Sequence, residues 1–103
     1  MNVATLNSHI EITPGVCGGR PRIAGRRITV QNVVLWHERM GKSVDEIVTE
    51  YDLSLADVHS ALAFYFDNRQ EIDAAIESDR EMVETLKRQT SLKLAQKLLR
   101  KSA

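Results

Sequence analysis

From Ile10 to Val30 the strongly apolar residues fall singly, at Ile10, Ile12, Val16, Ile23, Ile28 and Val30, with Pro14-Gly15, Gly18-Gly19 and Ala24-Gly25 between them. Isolated apolar points separated by turn dipeptides predict short strands joined by turns. Pro21 has no N–H to donate, which restricts the strand around it to a sheet edge or to pairing with another chain. No partner sheet is evident within the chain, so dimerisation through residues 10–30 is expected. From Val30 the period changes. Val30, Val33, Val34 and His37 recur at helical spacing, and Gly41 supplies a C-terminal cap, which predicts a first helix over about Val30 to Met40 with His37 facing the core.

Two helix starts follow in close succession. Ser43-Val44-Asp45-Glu46 has the capping-box form, in which the serine oxygen and the glutamate satisfy each other's free N–H groups. Val44, Ile47, Val48 and Tyr51 then keep the i, i+3, i+4, i+7 spacing of a second helix. Ser54 opens a third, with Leu55, Val58, Leu62 and Tyr65 as its apolar stripe and Ser54, Asp57, His59, Ser60 and Ala63 outward. The short connection Asp52-Leu53-Ser54 makes the pair a helix-turn-helix, completed to a three-helix bundle by the first helix. Asn68-Arg69-Gln70-Glu71 reads as another capping box. The helix after it keeps Ile72, Ala75, Ile76, Met82, Val83 and Leu86 on one face, until Gln89-Thr90-Ser91 weakens the pattern. Ser91 is expected to cap a separate final helix, with Leu92, Ala95, Leu98 and Leu99 on one side and Lys93, Lys97, Arg100 and Lys101 around the other. The fold class is therefore mainly α, with a short N-terminal β arm. Residues 1–67 form the arm and helix-turn-helix domain, and residues 68–103 a C-terminal helical extension.

Charge divides the chain further. The net charge is zero, but Arg20, Arg22, Arg26, Arg27, Arg39 and Lys42 make the first block basic. Between Asp45 and Glu84 twelve acids face only Arg69 and Arg80, and after Glu84 there are cations alone. Basic ends around an acidic middle fit two separate contacts with acidic partners; solvated faces and cations favoured by a helix C-terminus fit them equally.

Several chemistries are disfavoured. Gly19 and Gly25 are not spaced as in a nucleotide-binding P-loop, and no Lys-Ser or Lys-Thr follows; the Gly15, Gly18 and Gly19 spacing also fails the dinucleotide fingerprint. Cys17, His9, His37 and His59 give no zinc pattern, so no metal or cofactor is expected. No Ser/His/Asp or Cys/His arrangement is supported by spacing, and the chain reads as a non-enzyme. It carries no apolar run of membrane-spanning length and no visible signal peptide, which predicts a cytoplasmic location.

The run Gly18-Gly19-Arg20-Pro21-Arg22-Ile23-Ala24-Gly25-Arg26-Arg27-Ile28-Thr29-Val30, followed by Met40-Gly41-Lys42-Ser43-Val44-Asp45-Glu46-Ile47 and Leu55-Ala56-Asp57-Val58-His59-Ser60-Ala61-Leu62-Ala63-Phe64-Tyr65, resembles the domain-of-unknown-function 433 family. Gly19, Pro21, Ile23, Gly25, Arg27, Ile28 and Val30 match its Gly-x-Pro-x-Ile-x-Gly-x-Arg-Ile-x-Val pattern, while Arg26 stands where the family often has threonine. The resemblance spans about residues 10–67. It implies a homeodomain-like helix-turn-helix with a β arm, and an antitoxin role in bacterial toxin–antitoxin pairs whose toxins are often PIN-like ribonucleases.

Under that reading the DNA-binding candidates are Arg20, Arg22, Arg26, Arg27, Lys42, Ser54, His59 and Ser60, contacting operator DNA as a homodimer for autoregulation. The third helix carries no Lys or Arg on its outward face, so the arginine arm must supply the charge that phosphates require. One arginine, Arg27 above the others, is expected to pair with a carboxylate instead. The toxin-binding candidates are Met82, Leu86, Leu92, Leu94, Leu98 and Leu99, which would fill an apolar groove, and Arg88, Lys93, Lys97 and Arg100, which would reach the carboxylates of a metal-dependent nuclease. The alternative is a DNA-binding or protein-interaction adaptor with no toxin partner.

Overall fold

The computed structural model describes residues 8–102, with side chains to residue 100. It is mainly helical. The elements are β1 (Ile10–Glu11), β2 (Arg22–Ile23), α1 (Val30–Val34), α2 (Val44–Tyr51), α3 (Leu55–Asp67) and α4 (Arg69–Ser102). They divide into two compact units, Met1–Arg69 and Gln70–Ala103.

In the first unit β1 and β2 pair with each other, antiparallel, placing Ile10 opposite Ile23 and Glu11 opposite Arg22. The partner strand expected from a second chain is thus found within the same one. Pro21 fits because only its carbonyl is used, accepting the Val30 N–H at 3.0 Å. A tight turn follows β2: the Arg26 N–H reaches the Ile23 carbonyl at 3.0 Å, and Gly25 takes φ +75° at the position where such a turn demands the left-handed region. Ile10 and Ile23 are fully buried, with Val30, Val33, Val34, Ile47, Val58 and Ala61, so the small sheet is one wall of the core. Helix α3 forms the centre and packs against both α1 and α2.

All three bundle helices start with reciprocal caps. Ser43 with Glu46 and Ser54 with Asp57 follow the predicted boxes. Thr29 with Asn32 makes a third, which the sequence pattern missed because Asn at the fourth position lacks the usual Glu or Gln. The first helix departs from its expected form. After Val34 it widens into a π turn over Leu35–Arg39, with the Met40 N–H bonded to the Leu35 carbonyl at 2.9 Å. That turn breaks the 3.6-residue register, so His37 does not continue the buried face; it is half-buried, and its Nδ1 lies 2.7 Å from Glu38 Oε2. Gly41 closes the helix with φ +74°, as predicted. Trp36, on the wide turn, stacks on Tyr51 of α2 with centroids 3.8 Å apart and planes 5° from parallel.

The second unit is helix. Asn68 does not open α4 with the expected box. It caps the end of α3 instead, its side-chain amide donating to the Phe64 carbonyl at 3.0 Å. Nor does Ser91 start a new helix: α4 runs unbroken from Arg69 to Ser102. Serine and threonine cost a helix interior only a few tenths of a kcal/mol each relative to alanine, and the Leu, Lys, Arg and Gln on either side carry the helix through.

Candidate functional site

The opening arginines divide into two structural and two surface residues. Arg22 is buried, and its guanidinium bonds Glu11 at 3.0 Å, the Thr13 hydroxyl at 3.2 Å and the Arg26 carbonyl at 3.1 Å. Arg26 reaches the end of α2, donating to the carbonyls of Tyr51 at 2.7 Å and Asp52 at 2.8 Å. Those carbonyls are free because the helix ends there, at an Asp52 in the left-handed conformation, and a guanidinium fork fits two of them at once. Arg26 thereby ties the arm to the α2–α3 turn. These bonds give both arginines a part in holding the fold. Arg27, expected to pair with a carboxylate, makes no ion pair among the described residues and is exposed; Arg20 is exposed and bonds Gln31 at 3.2 Å.

The other DNA-binding candidates fare unevenly. The Lys42 ammonium pairs with Glu50 and lies 5.9 Å over the Tyr51 ring, and the Glu50 hydrogen bond holds its pKa above the ordinary lysine value. Beside it, α2 turns Asp45, Glu46 and Glu50 outward, a face that repels phosphate. The Ser54 hydroxyl is committed to the Asp57 N–H at 3.0 Å. Ser60 is half-buried and His59 exposed. Round the α3 surface, Leu55, Ala56, His59, Ala63 and Phe66 are all exposed and share one face, which carries no cation.

Asp57, read from sequence as an outward residue, has a second partner. His9 Nδ1 lies 2.9 Å from its Oδ1, joining the β arm to the first turn of α3. Burial pushes the Asp57 carboxyl up, but the His9 contact and the Ser54 hydrogen bonds outweigh it and hold the pKa below its ordinary value. Glu46 is held low in the same way by the Ser43 backbone and side chain. Sequence reasoning missed the His9 link because no local pattern joins positions 48 apart.

In the second unit every residue from Arg80 to Arg100 is exposed, including Met82, Val83, Leu86, Leu92, Leu94, Leu98 and Leu99. At about 100° per residue these fall on two sides of the helix. Met82, Val83 and Leu86 continue the face of Ile72 and Ile76. Leu92, Ala95, Leu98 and Leu99 fill an arc centred about 160° away, while Leu94 stays on the side of Ile76 and Val83. Lys93, Lys97 and Arg100 lie on the former side. Met82 and Leu86 therefore do not share a surface with Leu92, Leu98 and Leu99. The apolar face changes side near Thr90, where the sequence pattern weakened. Arg88 lies within the distal arc, one turn before Leu92, and the two border a shallow surface groove with Lys87 and Ser91. No cluster of three or more His, Cys, Asp or Glu suited to a metal ion occurs among the described residues, and no described helix is long and apolar enough to cross a membrane.

A short β arm tied by Arg20, Arg26 and His9 to three capped helices, with a long fourth helix, defines a small mainly α protein whose polar groups serve caps and ties. The family model "Protein of unknown function (DUF433)" matches residues 10–65, and the chain belongs to that family. A crystal structure of a DUF433 member protein from Anabaena variabilis ATCC 29413 is similar at 38% identity, with a TM-score of 0.63, covering 69% of this chain and 70% of that one. No curated protein matches. The matched region ends before α4.

Proposed function

We propose that this chain is an antitoxin-type inhibitor whose distal α4 segment, residues 88–100, docks into an acidic, apolar-floored groove on a PIN-like ribonuclease. The single observation that carries the reading is the exposed amphipathic end of α4: a leucine arc that includes Arg88 on one side, Lys93, Lys97 and Arg100 on the other, and no acid after Glu84. Leucines exposed at 57–71% along a helix make an interaction face, because helices in water draw most of their stability from burying such a face. The charge selects the occupant. Two copies of this segment would bring like charges together, whereas a nuclease that gathers carboxylates around its metal offers the opposite sign. Leu92, Leu98 and Leu99 would fill the groove with Leu94 at its edge, and Arg88, within the same arc, would engage a carboxylate there, while Lys93, Lys97 and Arg100 on the far side add longer-range attraction.

Operator binding belongs to the same proposal in a reduced form. With Arg22 and Arg26 tied into the fold and Lys42 paired with Glu50, the exposed Arg27 leads the phosphate contacts and the exposed, Gln31-bonded Arg20 adds to them, with the chain acting as a dimer for autoregulation and working in the cytoplasm.

The test is co-purification of the tagged full-length chain from its host, run beside Leu92→Glu/Leu99→Glu and a chain ending at Glu84, followed by ribonuclease assay of what is retained. A stoichiometric ribonuclease held by the full-length chain and lost from both variants supports the reading. A ribonuclease retained by the truncated chain, or no ribonuclease with any of the three, overturns it.

A further inference from the structure

The side of distal α4 opposite the leucine arc carries cations and no acid. Lys93, Lys97 and Arg100 lie within about 60° of one another around the helix and span about 10 Å along it. All three are exposed, and no acidic residue follows Glu84, so the turns around the row hold no carboxylate. Two plainer explanations fall short. A helix C-terminus favours cations over its last turn. In a helix that ends at Ser102 that reaches Arg100 but neither Lys97 nor Lys93. Surface solubility alone is served by mixed signs, whereas Lys93 and Lys97 stand four apart, where like charges repel.

We infer that this row binds the phosphate backbone of double-stranded DNA, whatever the base sequence. The inference goes beyond the nuclease reading, which uses the leucine side of the helix, and beyond the operator contact at the arm, which belongs to the other compact unit. Three features choose this occupant. First, duplex DNA carries a charge for about every 1.7 Å of its axis, so a cation row about 10 Å long meets phosphates in any register. Second, no aromatic residue follows Phe66. The segment therefore has no ring on which unpaired bases could stack and none to anchor it at a lipid boundary, and a duplex with its bases paired asks for neither. Third, the row stands on a helix. The major groove of B-form DNA, about 12 Å wide, admits a helix, while the deep, narrow groove of duplex RNA shuts side chains out. Gln89 and Thr90 on the same side add hydrogen-bond donors suited to phosphate, with Leu94 at the edge.

The leucine arc faces the other way, so the same stretch of helix can hold a protein on one side and a duplex on the other.

The experiment is fluorescence anisotropy of full-length chains with a short DNA duplex of arbitrary sequence, from 50 to 200 mM salt, with circular dichroism to check folding. The wild type is expected to bind, and Lys93→Gln/Lys97→Gln/Arg100→Gln to lower the log–log salt slope by about 2.7, the share of three phosphate contacts. Glutamine keeps the helix propensity of the residues it replaces, so the helical signal should stay unchanged. The exchange Lys93→Arg/Lys97→Arg/Arg100→Lys should keep the wild-type slope. Arg20→Ala/Arg27→Ala should leave the share of the row in place, and so should Leu92→Ala/Leu99→Ala. A wild type that does not bind the duplex at 50 mM salt overturns the inference, as does a triple glutamine variant with the wild-type slope. Tighter binding to an RNA duplex or to a single strand of the same sequence would give the row to RNA or to unpaired bases instead. Attachment to anionic phospholipid vesicles that displaces the duplex and is lost in Leu92→Ala/Leu99→Ala would give the segment to a membrane surface; either result overturns the assignment to DNA.

Discussion

Arg26 and Arg27 are neighbours with opposite duties, and substitution separates them. Arg26→Ala removes two charge-assisted bonds to the end of α2. Each such bond contributes about 1.5–3 kcal/mol at best, and with water free to replace part of it the expected net loss is about 2 kcal/mol. Arg27→Ala is expected to stay within about 0.5 kcal/mol, as at ordinary surface sites. Urea unfolding of both variants checks the pair; equal effects would contradict the assignment. The carboxylates carry a second expectation. Asp57 and Glu46 both have pKa values held below the ordinary ones of 3.8 and 4.5. A lowered folded-state pKa means that the unfolded chain takes up the proton first as acid is added. The stabilisation is therefore complete above the unfolded values and is lost as pH falls through the folded ones. Asp57→Asn is expected to lower stability at pH 7 and to flatten its decline below pH ~4, measured by thermal unfolding across pH. At this scale the sequence was legible where chemistry is local. Ser43 with Glu46 and Ser54 with Asp57 could be read as boxes, and Gly41 as a cap. The duties of Arg22, Arg26 and His9 could not, because each is fixed by a partner that only folding brings near.

At the scale of elements, α2 and α3 were predicted closely because cap, stripe and turn agreed. The first helix was found, but its π turn was not, since nothing in a 3.6-residue pattern announces an inserted position. In α4 the pattern broke at 89–91 for a real reason, and the inference drawn from the break was wrong: the helix continues and its apolar face changes side. Continuity is testable. Ser91→Pro would remove a backbone bond and clash with the preceding turn, at about 3 kcal/mol or more for the helix interior. It is expected to lower far-ultraviolet ellipticity by about two to three turns of helix while leaving the unfolding midpoint of the first unit unchanged within error. A lowered midpoint would mean that the distal segment supports the bundle. The same variant is expected to lose the α4 partner, since the leucine arc exists only while residues 92–99 stay helical.

The whole molecule presents three surfaces of different character: an arm with two exposed arginines, an α3 face without cations and a cationic, leucine-rich helix end. The family match covers the first two and stops short of the third, so the arm and bundle are what this chain has in common with its relatives, while the α4 reading rests on its own residues. Salt dependence measures how much of the arm is left for DNA. Phosphate contacts by Arg20 and Arg27 alone predict a log–log salt slope of about −1.8 per chain, where four arginines would give about −3.6. A gel-shift titration from 50 to 200 mM salt on the DNA upstream of its own gene distinguishes them, and absence of any shift at low salt would remove operator binding from the account.

The central claim is that the distal end of α4 inhibits a ribonuclease, and the most direct measurement is RNA cleavage by the co-purified nuclease as this chain is titrated in. Inhibition saturating at a fixed stoichiometry with the full-length chain, and at least about tenfold weaker with Leu92→Glu/Leu99→Glu, is the predicted result. Undiminished cleavage at saturating full-length chain, or equal inhibition by the double variant, would contradict it.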